Sequence, residues 1–436
     1  MSEKKKILFY TYLSIGHLNV CSSIASILLD KYHDEIEINF LVDEIWAKKL
    51  SIIDSRFKFN IYEASKKNEE DLITKTIKKL EDSLNLPYFD RTIEIYKTFY
   101  EKPDDLVFTD EQISKIINEL KPDYILCDLI SQMPSVIGSK IPHSFIISCN
   151  PLVLDIEDFP SMGLFVNTDE KEKIKSMKQN LENAIKGPKE KYESIFDIMN
   201  VKYNKKYPMF SPRSDYLSIY CYPKELDYYD DEIKKKYKLL QIDSALVKSR
   251  IPAPFELPEK FVKLPGKIIY VSLGSLFSCY YEKLQKLINV LAKLPYKYIV
   301  SKGPNGDKIK FPDNRFIGEN FINQLAVLQV VDMMVSHGGN NTFTECFYFG
   351  VPAIILPVMA DQINNAKRIE ETGFGYHINL VSYTEEELKN KINKVLLDDS
   401  LTEKMKKISE RIKYENKLEK VAVEFYNSIK NIKKNI

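Results

Sequence analysis

Residues 336–362 read SHGGNNTFTECFYFGVPAIILPVMADQ, and the break near their start decides the fold class. The apolar run Met333-Met334-Val335 gives way abruptly to His337-Gly338-Gly339-Asn340-Asn341-Thr342. A buried strand ends there. The glycines let the backbone turn and approach a ligand closely, and Asn341 or Thr342 opens a helix. The unpaired N–H groups of a helix start favour an anion, so a phosphate is the first ligand to consider.

Working outward, the same strand–turn–helix unit recurs on both sides. Strands are predicted at 267–272, 297–301, 316–317, 333–336 and 353–357, with helices at 281–294, after Phe321, from Asn341 and from Gln362. His377 begins one further short strand. The first half repeats the alternation with strands at 6–12, 36–42, 57–62, 124–128, 144–148 and 216–222. A charge-rich helical insertion covers about 66–120, and a mobile helical flap is predicted over 155–206. Alternating strands and helices imply parallel sheets. Prolines at 252, 254, 258 and 265 mark an extended linker. The expected fold is thus α/β: a Rossmann-like domain at 1–246, a linker at 247–266 and a second Rossmann-like domain at 267–436, the two facing each other across a cleft. A chain of 436 residues suits two such cores.

Lys+Arg 63 against Asp+Glu 62 leaves a net charge of +1, which provides no field for nucleic acid or an anionic membrane. No apolar run approaches the ~20 residues of a membrane helix. The opening MSEKKK leads straight into a strand without a signal-peptide core, so the protein is expected to be cytoplasmic, and as a monomer. Cys21, Cys127, Cys149, Cys221, Cys279 and Cys346 lie far apart with no C-x-x-C pair and read as reduced packing residues.

In open α/β sheets ligands bind beyond the carboxyl ends of the strands. Four loops qualify: Gly16-His17, Asp128, Gly274-Ser275 and 337–342. His17 follows a strand and a glycine, where its imidazole either serves as a base near neutral pH or merely starts a helix. Asp128 ends an apolar strand and either holds the other ring N–H of His17 or caps the segment 129–139. His33, His143 and His377 read as structural. With no clustered Cys/His set and no D-x-D triplet, no metal is expected to neutralise a diphosphate. That task falls to His337, Asn341 and Thr342 with their helix start, facing Ser275. The dinucleotide G-x-G-x-x-G, Walker A and G-x-S-x-G patterns are all missing.

Taken together, F-x-x-Q at 321–324, HGGNNTxxE at 337–345, GVP at 350–352 and DQxxNA at 361–366 resemble the signature of the family 1 UDP-dependent glycosyltransferases. Gly16-His17, Asp128 and VSLGS at 271–275 extend the likeness to both halves. The resemblance implies a GT-B fold whose final helix, about 415–433, returns to the N-terminal domain. It implies UDP-glucose or another UDP-hexose as co-substrate, no metal, and a small lipophilic acceptor such as a phenol, flavonoid, macrolide or xenobiotic. It places Phe321 on uracil with Gln324 nearby, and Glu345 on the ribose hydroxyls. Ser275, His337, Asn341 and Thr342 fall at the diphosphate, with His337 and the helix start supplying positive charge, and Gly274, Gly339 and Asn340 belong to the same UDP-sugar site. Asp361 and Gln362, a pair typical of glucose donors, fall at the sugar, with His17 as general base and Asp128 as its orienting partner. Phe321 stands where tryptophan is usual, Asn323 where proline is, and Asn340 where plant members carry tryptophan; these departures resemble the bacterial, macrolide-glycosyltransferase-like branch. For the acceptor, Phe89, Ile93, Tyr96, Met133, Met162 and Phe165 either line a pocket or belong to the core. A nucleotide-sugar epimerase or hydrolase of the same fold, and a non-catalytic UDP-sugar-binding protein, are the rival readings.

Overall fold

A computed structural model describes residues 3–63, 78, 81–100, 103–129, 133–201, 213–274 and 280–432. Ser275, Cys279 and parts of the predicted insertion and flap lie outside the described residues. Seven parallel strands form the first sheet: β1 Lys5–Tyr10, β2 Ile36–Val42, β3 Lys58–Ile61, β4 Tyr124–Asp128, β5 His143–Ile147, β6 Ser218–Cys221 and β7 Leu239–Ile242, ordered 3-2-1-4-5-6-7. Six form the second: β8 Ile268–Ser272, β9 Lys297–Ser301, β10 Phe316–Glu319, β11 Met333–Ser336, β12 Ala353–Ile355 and β13 Gly375–His377, ordered 10-9-8-11-12-13. The central strands β4 and β8 are buried throughout, as expected for parallel strands covered on both faces, which read as continuous apolar runs.

The strand order reverses between β1 and β4 in one sheet and between β8 and β11 in the other. Crevices open at such reversals. His17 and Asp128 follow β1 and β4; Gly274 and His337 follow β8 and β11. The topology therefore brings together the loops singled out by their composition.

Several elements differ from the sequence-based reading. β7 was not predicted, because LLQI is short and its Gln interrupts the apolar run. His377 ends β13 instead of beginning it. Within the predicted flap, Lys171–Ile198 is a docked helix: Ile174, Leu181, Ile185, Tyr192, Ile195 and Phe196 share one buried face, packed against the helix Tyr88–Tyr100. Helical spacing of those apolar islands outweighs the lysines on the opposite face.

The C-terminal helix Lys417–Ile429 places Leu418, Val421, Ala422, Phe425, Tyr426 and Ile429 into the core formed by the helix Ile15–Tyr32 and the first sheet. A buried ring such as Phe425 is worth about 3–5 kcal/mol against alanine. Asn416, left-handed at φ 44°, makes the corner that turns the chain back. Polar contacts also join the halves: Arg368 donates to the carbonyls of Leu226 and Asp227, Asn364 to that of Leu164, and the buried Arg91 to that of Val358. Among the described residues no helix is long and apolar enough to cross a membrane.

Candidate active site

His17 sits in the first turn of the helix Ile15–Tyr32, and its Nδ1 lies 2.8 Å from Asp128 Oδ2, a carboxylate with no solvent exposure. Ser148, one residue past β5, completes the group: its Oγ is 2.5 Å from His17 Nδ1 and 2.7 Å from Asp128 Oδ2. A carboxylate is an acceptor only, so Nδ1 carries the proton and Nε2 is the ring nitrogen able to accept another. Burial lowers the imidazole pKa, but the charge and hydrogen bond of Asp128, with Asp361 contributing, outweigh it and raise the value above the ordinary one. The ring edge of Tyr12 packs against the imidazole at 5.2 Å.

Across the interface the helix runs Asn340–Phe349, one residue earlier than predicted, with Gly339 at its N-cap. Gly338, at φ 82°, and Gly274, at φ 75°, allow close approach: a Cβ on Gly338 would lie 2.4 Å from Ile355 Cγ2, and one on Gly274 2.4 Å from His337 Cε1. The His337 ring is therefore cradled by backbone. Burial lowers its pKa to about 4, so it offers a neutral N–H at pH 7 and not the positive charge expected of it.

Glu345, one helical turn beyond Thr342, is buried and accepts from Gln324 Nε2 at 2.6 Å; the same amide donates to Thr342 Oγ1 at 3.1 Å. Burial raises the Glu345 carboxyl to about 7. Asn323 opens the short helix Gln324–Val327 by accepting from Leu325 N, a capping task that needs no proline. Phe321 stands 67% exposed before that helix, an uncovered aromatic face beside Gln324.

Asp361 begins the helix Asp361–Glu371 and is raised to about 6 by burial; His17 and N–H bonds from Asn150, Gln362 and Asn340 oppose the rise. Before it, Ala360 holds φ 48° and ψ −128°, a strained conformation for a residue with a Cβ. The loop is fixed from two sides. Gln362 Oε1 accepts from Val358 N and Met359 N, and Arg91 of the N-terminal half donates to Val358 O at 2.8 Å. Among the described residues no group of three His, Cys, Asp or Glu could hold a metal ion.

Residues 239–419 match the family described as UDP-glucoronosyl and UDP-glucosyl transferase. An NDP-glycosyltransferase YjiC of Bacillus licheniformis is 24% identical over 319 residues, covering 72% of this chain and 74% of that one. An uncharacterized UDP-glucosyltransferase YdhE of Bacillus subtilis is 30% identical over 149 residues, 34% of this chain and 38% of that one. For the first curated relatives the match spans about two fifths of their length. Among solved structures, the glycotransferase of kitacinnamycin superposes with a TM-score of 0.74 over 98% of this chain at 17% identity, and the calicheamicin glycosyltransferase CalG4 with 0.63 over 98% at 14%. Over residues 239–419 the chain is thus similar to the UDP-glycosyltransferases. Its fold is GT-B.

Within the site, His17 and Asp128 are in contact, and Gln324, Thr342 and Glu345 form one hydrogen-bonded group. Asn340 and Asn341 differ from expectation. Asn341 Nδ2 donates to Gly16 O at 2.7 Å, and Asn340 Nδ2 to Ser148 O and Cys221 O. Both carboxamides reach into the N-terminal half, because the helix start is docked onto the first turn of the helix Ile15–Tyr32 and the ends of β5 and β6. The Gln362 carbonyl is likewise turned onto its own loop. The suggested acceptor residues are packed: Phe165 lies between the rings of Tyr88 and His377, and Tyr96 donates to Met162 O. Ser148 and Asn150 were missed; both come after β5, and the strand-end rule that singled out Asp128 would have found them. Cys21, Cys127, Cys149, Cys221 and Cys346 are buried thiols.

Proposed function

We propose that the protein is a UDP-glycosyltransferase that moves a hexose, glucose in the first instance, from its UDP conjugate to a hydroxyl of a small lipophilic acceptor with inversion at the anomeric carbon. The observation that carries the reading is the His17 Nδ1–Asp128 Oδ2 contact at 2.8 Å, which leaves Nε2 as the basic nitrogen of a ring that also feels the charge of Asp361 from the opposite half.

The acceptor oxygen gives its proton to His17 Nε2 as it attacks the anomeric carbon. The C1–O bond to UDP breaks, and its electron pair leaves on the diphosphate. Asp128 stabilises the imidazolium that forms, having no competing solvent contact of its own. The helix start at Asn340, with the N–H of His337 and the hydroxyl of Thr342, meets the charge that develops on the leaving group. Glu345 takes the ribose hydroxyls, Phe321 the uracil face, and Asp361 a sugar hydroxyl.

The test is a screen of phenolic and alcoholic acceptors with UDP-glucose and other UDP-hexoses, read by mass spectrometry. Appearance of an acceptor–hexose conjugate is the expected result. Rapid conversion of UDP-glucose with no acceptor present would indicate an epimerase or hydrolase, and binding without any conversion a sensor.

A further inference from the structure

Ser148 meets both halves of the molecule. Its hydroxyl touches His17 Nδ1 and Asp128 Oδ2, while its carbonyl accepts from Asn340 Nδ2 at 3.1 Å, from the first residue of the helix that begins after the glycine pair. The next residue of that helix, Asn341, donates to the carbonyl of Gly16, immediately before His17. Two consecutive carboxamides therefore grip backbone on either side of the imidazole.

The proton arrangement gives Ser148 a defined task. Its O–H donates to Asp128 Oδ2, and its lone pair shares the Nδ1–H of His17 with that same carboxylate. Two acceptors, Asp128 Oδ2 and Ser148 Oγ, then fix the plane of the ring, and the carboxylate fixes its tautomer. Asn340 is held at some expense: its Oδ1 is buried without a hydrogen-bond partner, while its Nδ2 serves both Ser148 O and Cys221 O. A buried acceptor left unpaired is costly, so the carboxamide is oriented by the two carbonyls it serves.

We propose that Ser148 is a positioning residue for His17, and that Asn340, acting through the Ser148 carbonyl, couples docking of the donor-side helix to the seating of that imidazole. The proposal rests on the reading of His17 as the base and of the Asn340 helix as the UDP site. The charged and titratable groups facing His17 are Asp128 from β4, Asp361 from the opposite half and Tyr12 from the loop after β1.

The test is NMR of the full chain labelled with 13C,15N-histidine, followed with pH and with added UDP. Wild-type His17 is expected as the Nδ1–H tautomer, with a resonance that moves when UDP binds. Ser148→Ala should shift the His17 midpoint by at least about 0.5 pH unit while Asp128 keeps the proton on Nδ1, and Ser148→Thr, which keeps the hydroxyl, should restore the wild-type midpoint. With UDP at saturation, Asn340→Ala should leave the His17 resonance indifferent to the nucleotide; its turnover should fall about tenfold or more. An unchanged midpoint in a folded Ser148→Ala protein overturns the positioning role. A UDP response of His17 that is absent in the wild type, or persists in Asn340→Ala, overturns the coupling. If these responses hold while no acceptor is ever glycosylated, the reaction fails and the positioning stands.

Discussion

Asn341 donates its carboxamide to the Gly16 carbonyl at 2.7 Å, so a single hydrogen bond joins the loop proposed for the diphosphate to the residue before the proposed base. That carboxamide has two N–H donors and can serve an anion as well as Gly16. Asn341→Ala removes both contacts. Calorimetry should show UDP affinity falling about tenfold or more, the scale of a lost hydrogen bond to a charged group. Undiminished affinity would leave Asn341 with the interdomain contact alone.

His17→Ala should lower turnover by about 10² or more while UDP binding stays nearly intact, since the base contacts the acceptor and not the nucleotide. Asp128→Asn should cost nearly as much. The direct contact rules that side chain into the site, and an amide in its place presents either no charge or the wrong hydrogen-bond polarity to Nδ1. Full activity in either variant, measured by product formation with a competent acceptor, would remove the pair from the reaction.

The raised pKa of His17 fixes the sign of the pH dependence. Only the neutral imidazole accepts a proton, so kcat/KM for the acceptor should fall as pH drops through that raised value. Asp128→Asn takes away the charge that raises it, and the acid limb should move to lower pH. Stability runs the opposite way. The folded state favours the protonated ring, so the stabilisation is complete below the unfolded pKa and disappears as pH rises through the folded one. Thermal melts of Asp128→Asn should therefore lie further below wild type at about pH 5 than at about pH 8.

Much of this was legible in the sequence, for reasons that differ from residue to residue. Strands such as β4 and β8 are buried on both faces and announce themselves as apolar runs, and each of them gives way to a loop of polar residues or glycine. His17, Asp128 and His337 could thus be picked out by position, whereas Glu345, inside a helix, was singled out only by the resemblance to the family signature. Asn340 and Asn341 could not be oriented, because a side chain at a helix start can face a ligand or a neighbouring domain, and nothing local distinguishes the two. Arg91 was equally silent. Its partners are the carbonyls of Val358, Leu84 and Leu86, and backbone carbonyls leave no mark in a sequence. β7 fell below the length at which periodicity can be read.

Phe321 is exposed and carries little of the core, so Phe321→Ala should shift the thermal midpoint by no more than about 1 °C. If its face stacks on uracil, the same change should weaken UDP binding by about tenfold, within the range for loss of one base–aromatic stack. Phe321→Trp, with a larger ring, should bind at least as tightly. Fluorescence or calorimetric titration with UDP decides the matter, and equal affinity for all three proteins would move the base elsewhere.

Glu345 combines a functional task with a stability penalty. Burial raises its carboxyl to about 7, and its hydrogen bond from Gln324 opposes the rise only in part. The folded protein thus prefers the protonated form. Relative stability is complete below the ordinary carboxyl pKa and is lost as pH rises through about 7. Glu345→Gln removes the charge while keeping a carbonyl oxygen for Gln324 Nε2. Its thermal midpoint should exceed that of wild type by about 2–4 °C at about pH 8 and match it at about pH 5. UDP affinity should fall about tenfold or more at the higher pH, because two ribose hydroxyls are better met by a carboxylate than by an amide. A variant no more stable at alkaline pH would mean the carboxylate has partners enough to offset its burial. A variant that is more stable yet binds UDP as well as wild type would mean that the buried charge serves something other than the ribose.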